Sequence, residues 1–408
     1  MIINYKVNVL LVTQGSEIYL LFQIGLVICT ASLVAELFKR KRLPGLIGAI
    51  LVGILLGPGL LGVITDLTVI NILATLGAIL LLFMTGLEFD ANAFFKAGRK
   101  AFFLTTFGVI ASVILGSSIG MALGWTIQSS FLLGVMIAPS GTSIVAATLI
   151  AEKRVSSNEG STILTAAVVD DVECILLLTI ALGSWGQGAF SPLNIIWTTL
   201  FASVFILGSI YFGNRLMPQL VKKIEGKISD EVFFAILLGF GLIVAYAATL
   251  VGLAAITGAF IVGAIIPMKG MAEKMNFRLS LMKDLFVAIF FASIGMAILP
   301  YNLLIMLPMI LLVLGVAIGA RLLGGAIGGK LSKYSGKPLW MMALGLAIRG
   351  EISLIIANEG IARGIVGPEF LVIATGVVIG SILIALPVFQ KLIKNSISAE
   401  SEVSPLNK

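Results

Sequence analysis

The sequence predicts an all-α polytopic membrane protein of about 13 transmembrane helices, built from inverted-topology repeats with two broken helices crossing at mid-membrane. Three observations carry that expectation. Of the 408 residues, 59% are hydrophobic and only 12% charged, about half the charge of a soluble domain, and the mean hydropathy is +1.13. The apolar residues fall in continuous runs of roughly 20, long enough to cross a hydrocarbon core ~30 Å thick. Two of those runs, seven spans apart, are interrupted by proline, glycine and polar side chains. Backbone groups in lipid must be satisfied internally, so the runs are helices or strands of a closed barrel, and the lack of strict alternation selects helices.

In chain order the runs lie near 17–38, 46–64, 69–87, 101–123, 130–151, 161–183, 193–213, 232–251, 253–268, 285–300, 303–326, 339–358 and 369–390. The first ends on Lys39-Arg40-Lys41-Arg42, and only a weak break around Gly252 separates the eighth from the ninth. Basic residues mark alternate connections: Lys96, Arg99 and Lys100; Lys153 and Arg154; Arg215, Lys222, Lys223 and Lys227; Lys269, Lys274, Arg278 and Lys283; Lys330, Lys333 and Lys337; and the tail, with Lys391, Lys394 and Lys408. The opposite side holds Lys6 and Arg363. Basic loops stay cytoplasmic, so the N-terminus is expected outside and the C-terminus in the cytoplasm. The net charge of +7 is thus spent on topology rather than on nucleic acid. Met1 is not followed by a basic n-region and a small-residue cleavage site, so no removable signal peptide is expected. The 214–231 loop and the 391–408 tail are too short to be domains.

Cys29 and Cys174 both lie in apolar runs, which implies neither a disulfide nor a metal framework. There is no histidine, no cysteine paired with a base and no phosphate loop, so neither an enzyme nor a bound cofactor is expected.

Polar chemistry concentrates in four spans. The fifth holds Ala138-Pro139-Ser140-Gly141-Thr142-Ser143 at its centre. Proline removes a helix hydrogen bond, and Gly141 with three hydroxyl residues favours an unwound segment. The freed carbonyls, Ser140 and Thr142 are hard oxygen donors suited to a small cation, and helices broken at the midplane mark secondary transporters. The twelfth holds Arg349-Gly350-Glu351, glycine-interrupted at the same depth. An odd offset of seven makes the two enter the membrane in opposite directions, which relates spans one to six to spans eight to thirteen as an inverted repeat. The sixth span carries Asp170, Asp171 and Glu173 within the apolar stretch Ile163 to Leu182. A charge at that depth costs at least ~2.5–3.5 kcal/mol and by default marks an ion or proton path. Asp170 and Asp171 point about 100° apart on a helix, so one can face an ion while the other faces a counter-charge. Arg321, in the eleventh span, is that counter-charge, because arginine stays protonated and seeks a carboxylate. A plain proline kink, an Arg349–Glu351 pair that only satisfies a helix break, and an Arg321 that snorkels to the edge are the structural alternatives. The cost of burying a second aspartate is best explained if both carry protons.

These residues resemble the monovalent cation:proton antiporter superfamily, specifically its second group, the prokaryotic sodium (or potassium)/proton exchangers with a double-aspartate motif. The likeness runs through Leu43-Pro44-Gly45-Leu46-Ile47-Gly48, Gly53-Ile54-Leu55-Leu56-Gly57-Pro58, Leu81-Leu82-Phe83-Met84-Thr85-Gly86-Leu87-Glu88, Gly258-Ala259-Phe260-Ile261-Val262-Gly263 and Phe290-Phe291-Ala292-Ser293-Ile294-Gly295-Met296. Ala49 stands where the group usually has glutamate, and Arg321 where it usually has lysine. The resemblance implies panel helices that form homodimers, 1–100 and 232–301. It implies core ion-transport helices, 101–190 and 302–392, with a linker helix and cytoplasmic loop at 191–231 and a tail at 393–408. It matches Asp171 to the ion-binding carboxylate, Asp170 to the one paired with a basic residue, and Arg349-Gly350-Glu351 to the second broken helix. The expected activity is exchange of Na⁺, or else K⁺ or Li⁺, for H⁺ across the cytoplasmic membrane by alternating access. A sodium-coupled symporter of a small organic anion, with Arg321 or Arg349 on the substrate, is the alternative.

Overall fold

Apolar runs without alternation form helices, and the described residues of the computed structural model contain no strand. The structure describes residues 2–41, 43–88, 98–155, 157–183, 228–250, 254–265 and 272–403, with residues 200, 211, 215 and 219 between them. The helices are α1 (Ile2–Arg40), α2 (Gly45–Leu56), α3 (Thr68–Glu88), α4 (Gly98–Ala122), α5 (Ile127–Met136), α6 (Thr142–Ala151), α7 (Asn158–Gly183), α8 (Asp230–Leu250), α9 (Ala255–Ile265), α10 (Ala272–Met296), α11 (Pro300–Ile305), α12 (Leu307–Leu331), α13 (Gly336–Gly345), α14 (Glu351–Ala362) and α15 (Glu369–Val403). Six of the described helices are long and apolar enough to cross a membrane, among them Lys100–Ala122, Leu307–Leu331 and Glu369–Lys394. The acidic α7 has 26 residues, about 39 Å of helix, and so is long enough to cross as well.

Helix limits differ from the sequence reading where proline or chain ends intervene. The tenth run was expected at 285–300, but α10 occupies Ala272–Met296 and Pro300 opens the separate α11, since proline is favoured at a helix start and cannot continue one. The first helix runs from Ile2 rather than 17, and the last continues to Val403 through Pro387. All of the seventh run, 193–213, but residues 200 and 211, and most of the 214–231 loop lie outside the described residues, as does Gly252 between α8 and α9.

The chain packs as two compact units, 1–81 with 269–302, and 82–268 with 303–408. In the first unit α2 and α10 approach at backbone distance, with Gly53 against the Ala292 carbonyl and Gly295 against that of Ile50.

The second unit contains the site. It shows twice the order of helix, broken helix, helix: α4, α5/α6, α7 and again α12, α13/α14, α15. Small residues let these helices close up, the usual device where lipid supplies no hydrophobic drive. Gly324 and Gly328 of α12 lie on the backbone of Phe107 and Phe103 in α4, and a Cβ on Gly116 would stand 2.6 Å from Gly134 of α5. A Cβ on Gly108 would stand 2.7 Å from Arg321 Nη1, so α4 has a gap where α12 presents its arginine.

The two breaks meet. Residues 137–141 separate α5 from α6, and 346–350 separate α13 from α14. Gly141 N–H donates to the Ile348 carbonyl at 2.7 Å, and a Cβ on Gly350 would lie 2.5 Å from Gly141 Cα. The crossing therefore requires glycine. Gly350→Ala is expected to push the breaks apart and lower stability by about 1–3 kcal/mol, the range of overpacking, read as a lower thermal midpoint in detergent.

Candidate functional site

Helices α4, α7, α12 and α15 and the two broken helices place polar groups at this crossing. Asp170 and Asp171 stand in the middle of α7, 0% and 3% exposed. Their oxygens are used very differently. Asp170 is fully engaged: Oδ1 accepts from Thr105 Oγ1 of α4 at 3.1 Å, and Oδ2 accepts from the Ser140 N–H in the first break at 2.7 Å and pairs with Arg321 Nη2 of α12. Asp171 Oδ2 accepts from Thr142 Oγ1 at 3.0 Å, while its Oδ1 has no hydrogen-bond partner among the described residues. The Ser140 hydroxyl is likewise without a partner among them. Buried oxygens are normally satisfied, so two open oxygens on adjacent elements are an unspent capacity for a ligand.

Arg321 is 1% exposed. It does not snorkel. Its Nε donates to the Leu346 carbonyl in the second break at 3.0 Å, and Nη1 reaches the Thr105 carbonyl at 3.5 Å. One guanidinium thus ties α4, α7, α12 and the α13/α14 break together.

Arg349 does something else. It is 0% exposed, and it donates through Nη1 to the Ala138 and Pro139 carbonyls, at 2.8 and 3.2 Å, and through Nη2 to that of Ala317. These include the orphan carbonyls just past α5, where a cation complements the negative end of the helix. The alternative of an Arg349–Glu351 pair is not seen among the described residues: the arginine goes to backbone, and Glu351 Oε2 accepts from Ser143 Oγ at 3.1 Å. The Arg349 backbone N–H donates to Ser381 Oγ of α15 at 2.9 Å. Glu351 lies in the first turn of α14, where a negative charge suits the positive end. Two half-helix N-termini, those of α6 and α14, therefore open at the crossing, a combination suited to holding buried charge.

Glu173 lies one turn beyond Asp170, half-buried, with Oε1 on Thr106 Oγ1 and Oε2 without a partner among the described residues. Pro139, Gly141 and Gly350 form the breaks themselves. The structure thus brings Asp170, Asp171, Ser140, Thr142 and Arg321 into one network and leaves Glu173 to the side, hydrogen-bonded to Thr106 of α4. Sequence reading missed Thr105 and Thr106, the Leu346 carbonyl, Ser143 as partner of Glu351, and Ser381. Adjacent threonines in an otherwise apolar fourth span were the available signal. A carbonyl acceptor has none.

The comparisons agree with this architecture. The family described as "Sodium/hydrogen exchanger, transmembrane" matches residues 25–393. The chain is 28% identical over 376 residues to the Na(+)/H(+)-K(+) antiporter GerN of Bacillus cereus, covering 92% of this chain and 96% of that one. It is 30% identical over 339 residues to a Na(+)/H(+) antiporter of Enterococcus hirae, covering 82% and 88%. Its fold resembles the sodium proton antiporter MjNhaP1 of Methanocaldococcus jannaschii, with a TM-score of 0.71 at 19% identity over 95% of this chain and 99% of that one. Inverted order, crossed breaks and a buried acid pair thus accompany a match along nearly the whole length, and the chain belongs to the sodium/hydrogen exchanger family of transmembrane proteins.

Proposed function

We propose that this chain is a secondary antiporter that exchanges Na⁺ for H⁺ across the cytoplasmic membrane by alternating access, with K⁺ or Li⁺ as the lesser alternatives. The observation that carries the reading is Asp171, a buried carboxylate with one oxygen on Thr142 and the other open, beside the open hydroxyl of Ser140. Hard oxygens of this kind suit a small cation. One carboxylate that holds either the cation or a proton, but not both, is sufficient for exchange. Asp170 would need to leave three donors to do the same, so the geometry favours Asp171 as the exchanging group and Asp170 as its fixed neighbour. In this reading Asp171 is the one proton carrier, where the sequence reading expects two. An organic-anion site gains no support, because both buried arginines are directed to Asp170 and to backbone carbonyls.

In this reading the core transport helices are 101–190 and 302–392, and the panel helices 1–100 and 232–301 mediate a homodimer. Residues 191–231 link the repeats and 393–408 form the tail. The N-terminus faces outward and the C-terminus the cytoplasm. The test is proton efflux from acid-loaded sealed vesicles on addition of Na⁺, K⁺, Li⁺ or an organic anion. Efflux driven by Na⁺ is the expected result, and efflux driven only by the anion would reverse the assignment.

Thr142 completes the site in this reading, so Thr142→Val is expected to raise the Na⁺ concentration for half-maximal exchange by about tenfold, the worth of one charge-assisted hydrogen bond or ligand, with little change in folded yield. A fall in yield at unchanged affinity would return Thr142 to a purely structural role.

A further inference from the structure

Left-handed backbone is where a lysine is least expected, and the second unit has two. Among its described residues at positive φ, Gly124, Gly336 and Gly364 are glycines, whereas Lys153 (φ 55°) and Lys333 (φ 63°) carry side chains. Both lysines close a helix. At the end of α12 the Lys333 N–H donates to the Lys330 carbonyl at 2.9 Å, and the Tyr334 N–H to that of Gly329 at 2.8 Å. This pair of bonds is the helix ending that favours glycine at the left-handed position. A side chain there is strained, so Lys333 stands against its local preference.

The turn that holds Lys333 is fixed on two sides. Ser332 Oγ donates to the Lys100 carbonyl of α4 at 2.9 Å, and Lys100 Nζ lies 5.3 Å from the centre of the Tyr334 ring. The Tyr334 hydroxyl is 3.1 Å from Thr162 Oγ1 of α7. Lys330, Lys333 and Lys337 are exposed on and beside this turn, and none of them forms an ion pair among the described residues. Three positive charges within eight residues are therefore left without a carboxylate. An apolar stripe leads up to them: Leu323, Ile327 and Leu331, spaced by four and so on one face of α12, are exposed, as is Trp340 of α13. In a membrane span such a stripe faces acyl chains, which sets the lysines at the level of the headgroups, where tryptophan also concentrates.

We propose that the α12–α13 turn is a binding site for an anionic phospholipid, with Lys330, Lys333 and Lys337 on its headgroup phosphate and Leu323, Ile327 and Leu331 along its acyl chains. Charge complementarity selects an anionic headgroup over a zwitterionic one, and the stripe selects a lipid over free phosphate. The site stands whichever ion the chain carries. The competing role for the lysines is to set topology, which needs positive charge on this face but no strained residue and no tethered turn.

The experiment uses the purified chain in nanodiscs of phosphatidylcholine, with and without phosphatidylglycerol, and measures the thermal midpoint together with lipid binding by native mass spectrometry. Phosphatidylglycerol is expected to raise the wild-type midpoint and to stay bound where phosphatidylcholine is lost. Its affinity should fall about fivefold for each lysine removed, and so about a hundredfold in the variant carrying Lys330→Gln, Lys333→Gln and Lys337→Gln. Lys333→Gly separates charge from fold and keeps the other lysines should the triple variant fail to insert. In pure phosphatidylcholine it should match or exceed the wild-type midpoint, because glycine relieves the left-handed position, yet gain less from phosphatidylglycerol. Equal phosphatidylglycerol affinity in Lys333→Gly and wild type overturns the site. A lower midpoint for Lys333→Gly in pure phosphatidylcholine also overturns it, by showing that the lysine serves the fold. Inorganic phosphate that stabilises wild type as much as phosphatidylglycerol does would overturn the lipid as occupant.

Discussion

Asp171→Asn is expected to abolish Na⁺-driven proton movement: flux should fall to that of empty liposomes, while the protein is recovered in normal yield. The amide still accepts the Thr142 hydroxyl, so the hydrogen bond that ties α7 to α6 survives. What is lost is the charge and the capacity to exchange a proton for a cation. Because the replaced oxygen Oδ1 is the one without a partner, little native bonding is sacrificed, and the thermal midpoint should stay within about 4 °C, the shift that 1 kcal/mol produces in a protein of moderate size. Substantial exchange by this variant would remove the site from α7.

Arg321→Gln is the most destabilising single change expected. It leaves Asp170 buried with two hydrogen bonds and no counter-charge, and it vacates the Leu346 carbonyl. Breaking a buried pair from one side costs about 3–5 kcal/mol, so folded yield and thermal midpoint should fall sharply and exchange should be severely impaired. Arg321→Lys restores the charge but cannot reach carboxylate and carbonyl with one rigid fork, so it should lie between the two. Adding Asp170→Asn to Arg321→Gln removes the stranded carboxylate and should recover much of the stability, a coupling that a double-mutant cycle measures. Additive losses in that cycle would show that the pair is not energetically joined.

The breaks are legible in the sequence because their cause is local: Pro139 lacks an N–H, and Gly141 and Gly350 remove side chains at the point of closest approach. The inverted order follows from counting spans, since depth and direction are fixed by the membrane. That Arg321 pairs with one of the two aspartates is legible because a charge of either sign is costly at that depth and the chain offers few partners; the choice of Asp170 follows only from the family resemblance. The role of Arg349 is not legible. Its acceptors are backbone carbonyls of Ala138, Pro139 and Ala317, and every residue has a carbonyl, so only the folded geometry selects these. The same limit hides the Ser140 N–H on Asp170, a donor that pairing Asp170 with Arg321 in the sequence does not include. The separation of α11 from α10 turned on Pro300, a residue that ends one helix as readily as it starts another.

The most direct test measures Na⁺ binding and proton release together in the purified protein. Na⁺ is titrated into weakly buffered detergent solution while a pH indicator reports protons and calorimetry reports binding, for wild type and Asp171→Asn. One proton released per Na⁺ bound, with neither binding nor release in the variant, is the expected result. Na⁺ binding to Asp171→Asn at wild-type affinity, or binding to the wild type without proton release, would contradict competition at Asp171.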